Sequence, residues 1–139
     1  MFESCYTHPN TLAHELCVFL ESNGIGTYTG TPRNIFRGFF PESPDEAVAV
    51  YVGGGRGEDR NGIDYNVSIQ TRANKRVDSL NLQMQIWDVL GEKKFFGNTG
   101  PYQLATSFGK LSARNAPGID FLDDEKRTIH VLSYTFIPT

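Results

Sequence analysis

Pro44-Asp45-Glu46-Ala47-Val48-Ala49-Val50-Tyr51-Val52-Gly53-Gly54-Gly55 places a short, β-branched apolar run between a proline with two acids and three glycines. In an extended chain its two faces are Ala47/Ala49/Tyr51 and Val48/Val50/Val52, and neither is polar. A strand with no polar face belongs inside a sheet with something covering each side. The glycines that follow run into Arg56-Gly57-Glu58-Asp59-Arg60-Asn61-Gly62, too charged and too glycine-rich to be an element. Residues 53–62 therefore read as an exposed hairpin loop. It is longer than the usual hairpin connection, and long loops in compact domains tend to be functional.

The return strand, 65–72, alternates. Val67, Ile69 and Thr71 point to the core, while Asn66, Ser68, Gln70 and Arg72 face water or a hydrated partner. Before the quoted stretch, 35–40 reads as a first strand closed by Pro41 and Pro44, and 26–34 as a loop. Earlier still, Leu12, Leu16, Phe19 and Leu20 fall at i, i+4, i+7 and i+8, one stripe of an α-helix. His14, Glu15 and Glu21 turn away from that stripe. Thr7 or Asn10 is the expected cap, Asn23-Gly24 the stop, and residues 1–10 an N-terminal arm.

A second helix is expected after Asn74 or Asp78, with Val77, Leu80, Met84 and Trp87 as its buried stripe and Leu90-Gly91 as its end. Residues 92–101, which include Lys93, Lys94, Phe95 and Phe96, read as a loop, 102–112 as a fourth strand and 114–127 as a connector. The last strand, 128–137, is apolar on both faces and belongs inside the sheet. The order α-β-β-β-α-β-β predicts a single α+β domain over 1–139. Two helices pack on one face of a mainly antiparallel sheet of about five strands.

Composition narrows function more than it defines it. A chain of 139 residues suits one domain and buries about 68% of its unfolded surface. A net charge of -3 argues against general nucleic-acid binding. No apolar run is long enough to span a membrane. The start, Met1-Phe2-Glu3-Ser4-Cys5, lacks the pattern of a signal peptide, so a cytoplasmic protein with Cys5 and Cys17 reduced is expected.

Signatures of chemistry are absent. The glycine cluster lacks the Gly-Lys-Ser/Thr of a phosphate loop, and a strand rather than a helix follows it. His8, His14 and His130 lack metal-ligand spacing. Asp123-Asp124-Glu125 are consecutive, unlike the alternating acids of a calcium loop, and read as a solvated turn into the last strand. No GxSxG elbow occurs, and Cys17, beside the helix stripe, reads as packing. No enzyme activity, cofactor or metal is expected. Arg72-Ala73-Asn74-Lys75-Arg76, at a strand-to-helix junction, is a candidate surface for an acidic partner, Arg72 more than Lys75.

Several pieces in this order carry a resemblance. They are the helix ending Leu20-Glu21-Ser22-Asn23-Gly24-Ile25-Gly26, the quoted strand running into its glycines, and a strand ending Gln70-Thr71-Arg72-Ala73. A helix ending Ile86-Trp87-Asp88-Val89-Leu90 and a closing strand ending Thr135-Phe136 complete the set. From about Thr11 to Ile137 the chain resembles the tail terminator (tail completion) proteins of long-tailed bacteriophages. The resemblance implies a structural virion protein of the neck, assembled in the host cytoplasm as a homo-oligomer, a hexameric ring. Such a ring stops the tail tube at its head-proximal end and joins it to the head–tail connector or adaptor protein. A tail sheath is a further partner where the tail is contractile, and DNA passes through the lumen only as cargo. The expected interface residues are Arg56, Glu58, Asp59, Arg60, Gln70, Arg72, Lys93, Lys94, Phe95 and Phe96. The long 53–62 segment and the aromatic-rich 91–102 segment depart from the family pattern. Two alternatives are another connector-associated neck protein and a small cytoplasmic ligand-binding domain.

Overall fold

The computed structural model describes residues 8–54, 64–96 and 107–138. Helix α1 (Pro9–Ser22) is followed by strands β1 (Ile35–Arg37), β2 (Ala47–Gly54) and β3 (Tyr65–Ala73). Helix α2 (Arg76–Leu90), then β4 (Lys93–Phe96), β5 (Gly109–Ala113), β6 (Asp120–Leu122) and β7 (Thr128–Pro138) complete the described elements. The strands form one sheet in the order β1-β2-β3-β7-β5-β4, and β6 pairs with β7 beyond the end of β5.

The fold is α+β, and the quoted stretch lies inside the sheet as expected. β2 pairs with β1 on one side and β3 on the other, and Ala47, Val48, Ala49 and Val50 are all buried. Its pairing with β1 is parallel, so the sheet is mixed, although every other pairing is antiparallel. The sheet has seven strands rather than about five. The two unforeseen strands are short. β4 lies in Lys93-Lys94-Phe95-Phe96, expected as loop, and β6 is the three-residue Asp120-Phe121-Leu122 within the expected connector. Three or four residues are too few to display a period of two, so their pairing partners rather than their own pattern define them. The first strand is shorter than 35–40: it ends at Arg37 because Gly38 turns the chain with φ +82°.

Cross-strand register sorts the side chains into two layers. Val48, Thr71, His130 and Asp120 share one row, and Val50, Ile69 and Leu132 the next. This face carries the core, where Leu12, Leu16 and Leu20 of α1 and Leu82, Ile86 and Leu90 of α2 meet Val48, Val50, Ile69 and Leu132. Both helices thus cover the same face. Burying each of these leucines contributes about 1.5–3 kcal/mol as an upper bound. Phe96 of β4 joins the core edge-to-face with Phe19, ring centroids 5.5 Å apart.

The helices differ from expectation at their ends and faces. α1 starts at Pro9, inside the stretch assigned to an arm, and its cap is the His8 ring, which accepts from Asn10 N–H at 3.1 Å. It stops at Asn23-Gly24 as expected, with Gly24 at φ +79°. Glu15 is buried rather than turned to solvent. α2 buries Ser79, Leu82, Gln83, Ile86 and Leu90, not Val77, Leu80, Met84 and Trp87. No side chain caps its start, since neither Asn74 nor Asp78 takes that place; Lys75 is the N-cap residue.

Candidate functional site

Arg72 was expected on the polar face of β3, but it is only 2% exposed. The connection 38–46 returns from β1 to β2 on the sheet face opposite the helices, and Arg72 rises into it. Its Nη2 donates to the Pro44 carbonyl at 2.6 Å and its Nε to the Asp45 carbonyl at 3.2 Å. The guanidinium also stacks over the Phe40 ring, 4.6 Å from the centroid. A planar cation with fixed donors suits this geometry, because it meets two carbonyls and an aromatic face at once.

Arg127, the residue before β7, holds the same connection from the other side. Its Nη1 donates to the Glu42 carbonyl at 2.7 Å and to Asp45 Oδ1 at 3.2 Å, and its Nε to Asp123 Oδ2 at 2.9 Å. Asn74 Nδ2 donates to the second Asp45 oxygen at 2.9 Å. The Asn74 amide and then Arg127 hold the Asp45 carboxyl below its ordinary range. At Asp123, burial pushes upward, but the backbone N–H and guanidinium of Arg127 outweigh it and the carboxyl is also held low. The acids expected to form a solvated turn thus divide. Asp123 is structural, accepting from the Glu125 and Arg127 N–H groups at 2.9 and 2.8 Å, whereas Asp124 and Glu125 are exposed.

Beneath α2, Ser79, His130 and Asp120 stand in a line that invites a catalytic reading. Ser79 Oγ lies 2.7 Å from His130 Nδ1 and 3.1 Å from the Thr71 carbonyl, and His130 Nε2 is 3.7 Å from Asp120 Oδ2. One hydroxyl hydrogen serves only one acceptor. Whether Ser79 donates to Nδ1 or accepts from it therefore follows the imidazole tautomer. A hydrolytic triad needs an accessible hydroxyl, the serine on Nε2 and the carboxylate on Nδ1. Here Ser79 and His130 are fully buried and the ring is reversed. Burial depresses the His130 pKa, with Asp120 opposing and Arg76 adding to the fall. Gln83 extends the network, donating to the Val131 carbonyl at 3.2 Å and accepting from Gly118 N–H at 3.0 Å. This cluster ties α2 to the sheet and lacks the geometry of a hydrolytic triad. Cys17 is fully buried, and burial pushes its thiol up to about 12, away from the thiolate form.

The expected interface residues are dispersed. Arg56, Glu58, Asp59 and Arg60 lie outside the described residues. Gln70 is half-buried on the helix-free face, its amide on Ser68 Oγ at 3.2 Å. Lys93 and Phe95 are exposed on β4, Lys94 is half-buried, and Phe96 is in the core. Arg72 and Phe96 are therefore interior residues: the strand period placed Arg72 on a face but not what covers that face, and Phe96 read as part of a loop. Sequence reasoning missed the apolar surface at Phe39, Ile119, Phe121, Leu122 and Ile137. The Phe121-Leu122 pair in a polar connector was the available signal. The helix-free face also carries a recess of about 440 Å³ lined by Arg114, Asn115, Ile119, Val131 and Ser133.

Among the described residues, no group of three or more His, Cys, Asp and Glu is placed to hold a metal, and no helix is long and apolar enough to cross a membrane. A family model described as bacteriophage tail terminator protein matches residues 19–139. No curated protein matches the chain. The match covers most of the sequence, and the chain belongs to the bacteriophage tail terminator family, a family of structural tail proteins.

Proposed function

We propose that this chain is a structural subunit of the phage neck that closes into a hexameric ring on the head-proximal end of the tail tube. The ring ends tube growth there and presents the opposite surface to the head–tail connector. Family membership supports a tail protein, and one observation carries the rest: the sheet is one-sided. Both helices cover one face. The other bears the 38–46 connection at one end and exposed Phe95, Ile119, Phe121 and Ile137 elsewhere. Scattered apolar residues are ordinary, but a set of this size on one sheet face marks a contact surface.

The polar clusters fit the same reading. Arg72, Arg127, Ser79 and Gln83 spend their hydrogen bonds on the fold, as does His130 through Nδ1. The exposed Lys93 and Phe95 of β4 and the segment around Arg56 to Arg60 are the remaining proposed contacts with tube or connector. DNA passes the ring as cargo.

Light scattering and negative-stain imaging of the purified protein, alone and with tail-tube protein, test the proposal. A closed ring that blocks further tube growth is expected. A strict monomer in both conditions overturns it, and affinity for the connector without affinity for the tube moves the protein to another place in the neck. Deleting Arg56 to Arg60 should leave the fold intact and impair tail joining.

A further inference from the structure

The row that starts at Ile35 crosses the sheet as Ile35, Val48, Thr71, His130 and Asp120, so β1 and β6 are the two ends of one five-strand row. The ends differ in chemistry. At the β1 end, Phe39 is 50% exposed and packs against Phe36, ring centroids 5.7 Å apart. Arg33 lies over Phe36 and Tyr28 at 5.0 and 5.1 Å, and Arg37 is exposed beside them. Among the described residues neither arginine has a carboxylate within ion-pair distance. At the β6 end, Phe121 is 50% and Leu122 62% exposed, and Ile119 is equally open. The turn beyond carries exposed Asp124 and Glu125, which form no ion pair among the described residues; Lys126 offsets one of the two charges.

Register also fixes the side on which these groups stand. Phe36 pairs with Ala49, and Phe121 with Ile129, which continues through Arg72 to Ala47. Phe36 and Phe121 therefore lie on the helix-free side, with Phe39 beside Phe36, while Arg37, opposite Val50, and Leu122, opposite Thr128, stand on the helix-covered side of the same two ends. Two copies set side by side in the same orientation bring the arginine-aromatic end of one to the acidic-apolar end of the next without inverting either. A head-to-tail contact between opposite ends of a subunit is the kind that generates rings. At Ile35 the outer edge of β1 is occupied, because its N–H is taken by the Thr27 carbonyl at 3.0 Å and its carbonyl by Arg33 Nε at 2.9 Å. The exposed side chains of the two ends are the complementary groups.

We propose that successive subunits join through these two ends. Arg37 and Phe39 of one copy meet Ile119, Phe121 and Leu122 and the Asp124–Glu125 turn of the next, with Phe39 directed at the recess beside Ile119. The inference rests on the ring reading above and names its interface. Arg33 is left out of the test because it caps β1.

Charge reversal distinguishes the two claims. R37E alone and D124K/E125K alone should each keep the wild-type circular dichroism spectrum. Each should raise the concentration for half-assembly by about tenfold or more, as expected for a lost central contact. Mixing the two variants should restore rings, since each supplies the complement the other lacks and an even-numbered ring can alternate them. In a C5S background, F39C/I119C should give an oxidised ladder ending at the ring size, while either cysteine alone should not. Wild-type rings with unaffected variants overturn this interface and leave the ring reading standing. Variants that lose assembly without rescue on mixing, or a cysteine pair that fails to cross-link, also overturn it. A wild-type protein that never forms a ring, alone or on tail tubes, removes both.

Discussion

Nη2 of Arg72 lies 2.6 Å from the carbonyl oxygen of Pro44, so a residue at the centre of the sheet holds the first residue of the segment that opens β2. The Asp45 carbonyl and the Phe40 ring complete the seat. Replacing Arg72 by Met keeps the bulk but abandons two carbonyls to a buried site. Hydrogen bonds from charged donors contribute about 1.5–3 kcal/mol each, so R72M should cost about 2–4 kcal/mol in urea unfolding, within the non-additivity of neighbouring bonds. R72K should recover little of it, since a point charge cannot reproduce the fork or the stacking. A change under about 0.5 kcal/mol, the range of an ordinary surface substitution, would show that the seat is incidental.

Acid should release the same connection. Asp45 and Asp123 are held below their ordinary range by Asn74 and Arg127, and Glu21 is held low by Tyr28 and Thr29 N–H groups and the Thr29 hydroxyl. A carboxyl with a depressed folded pKa contributes stability that is complete above its unfolded value. That contribution is lost as pH falls through the folded one. Stability should therefore drop on acidification below about pH 4, the ordinary carboxylate value. D123N should flatten part of that drop while lowering stability at pH 7. An unchanged acid limb in D123N would remove Asp123 from this account.

A second pH effect has the same direction and a separate window. His130 is buried, and its pKa is below the ordinary value of about 6.5. As pH falls through that value the unfolded chain takes its proton first, so stability falls with pH, by at most about 1.4 kcal/mol per unit for one group. Denaturation between pH 7.5 and 5 should show this slope in the wild type and a shallower one in H130Q. Equal slopes would assign the loss to other histidines.

What the sequence disclosed followed the length and regularity of each segment. β2, β3 and β7 were readable because each spans enough residues to show its faces, and α1 because leucines mark its buried stripe. β4 and β6 were not, because pairing with β5 and β7 makes them strands. Arg72 looked like a surface residue because strand alternation says nothing of a loop laid across the face. Ser79 and Gln83 concealed the buried side of α2: both are polar, and only the positions of Thr71, His130, Val131 and Gly118 show that they are satisfied inside. Family likeness identified the part, while contacts between parts depend on exposed groups brought together from distant segments.

The orientation of α2 supplies the sharpest test of that point. The apolar residues Val77 and Met84, which define the expected stripe, face outward, and Val77 is 56% exposed. Leu82 and Ile86 face Ile69 and Leu132 in the core. L82A and I86A should each cost about 2–5 kcal/mol, transfer and cavity terms together. V77K and M84K should stay within about 0.5 kcal/mol, because a long cationic side chain can lie along the helix surface with its charge in water. Q83L tests the polar half of the buried side. It matches the volume but leaves the Gly118 N–H without its acceptor, so it should cost about 1–3 kcal/mol despite being more apolar. If V77K and M84K were the damaging pair and L82A and I86A were silent, α2 would have to be rotated by about half a turn. The Ser79–His130 bond would then be lost.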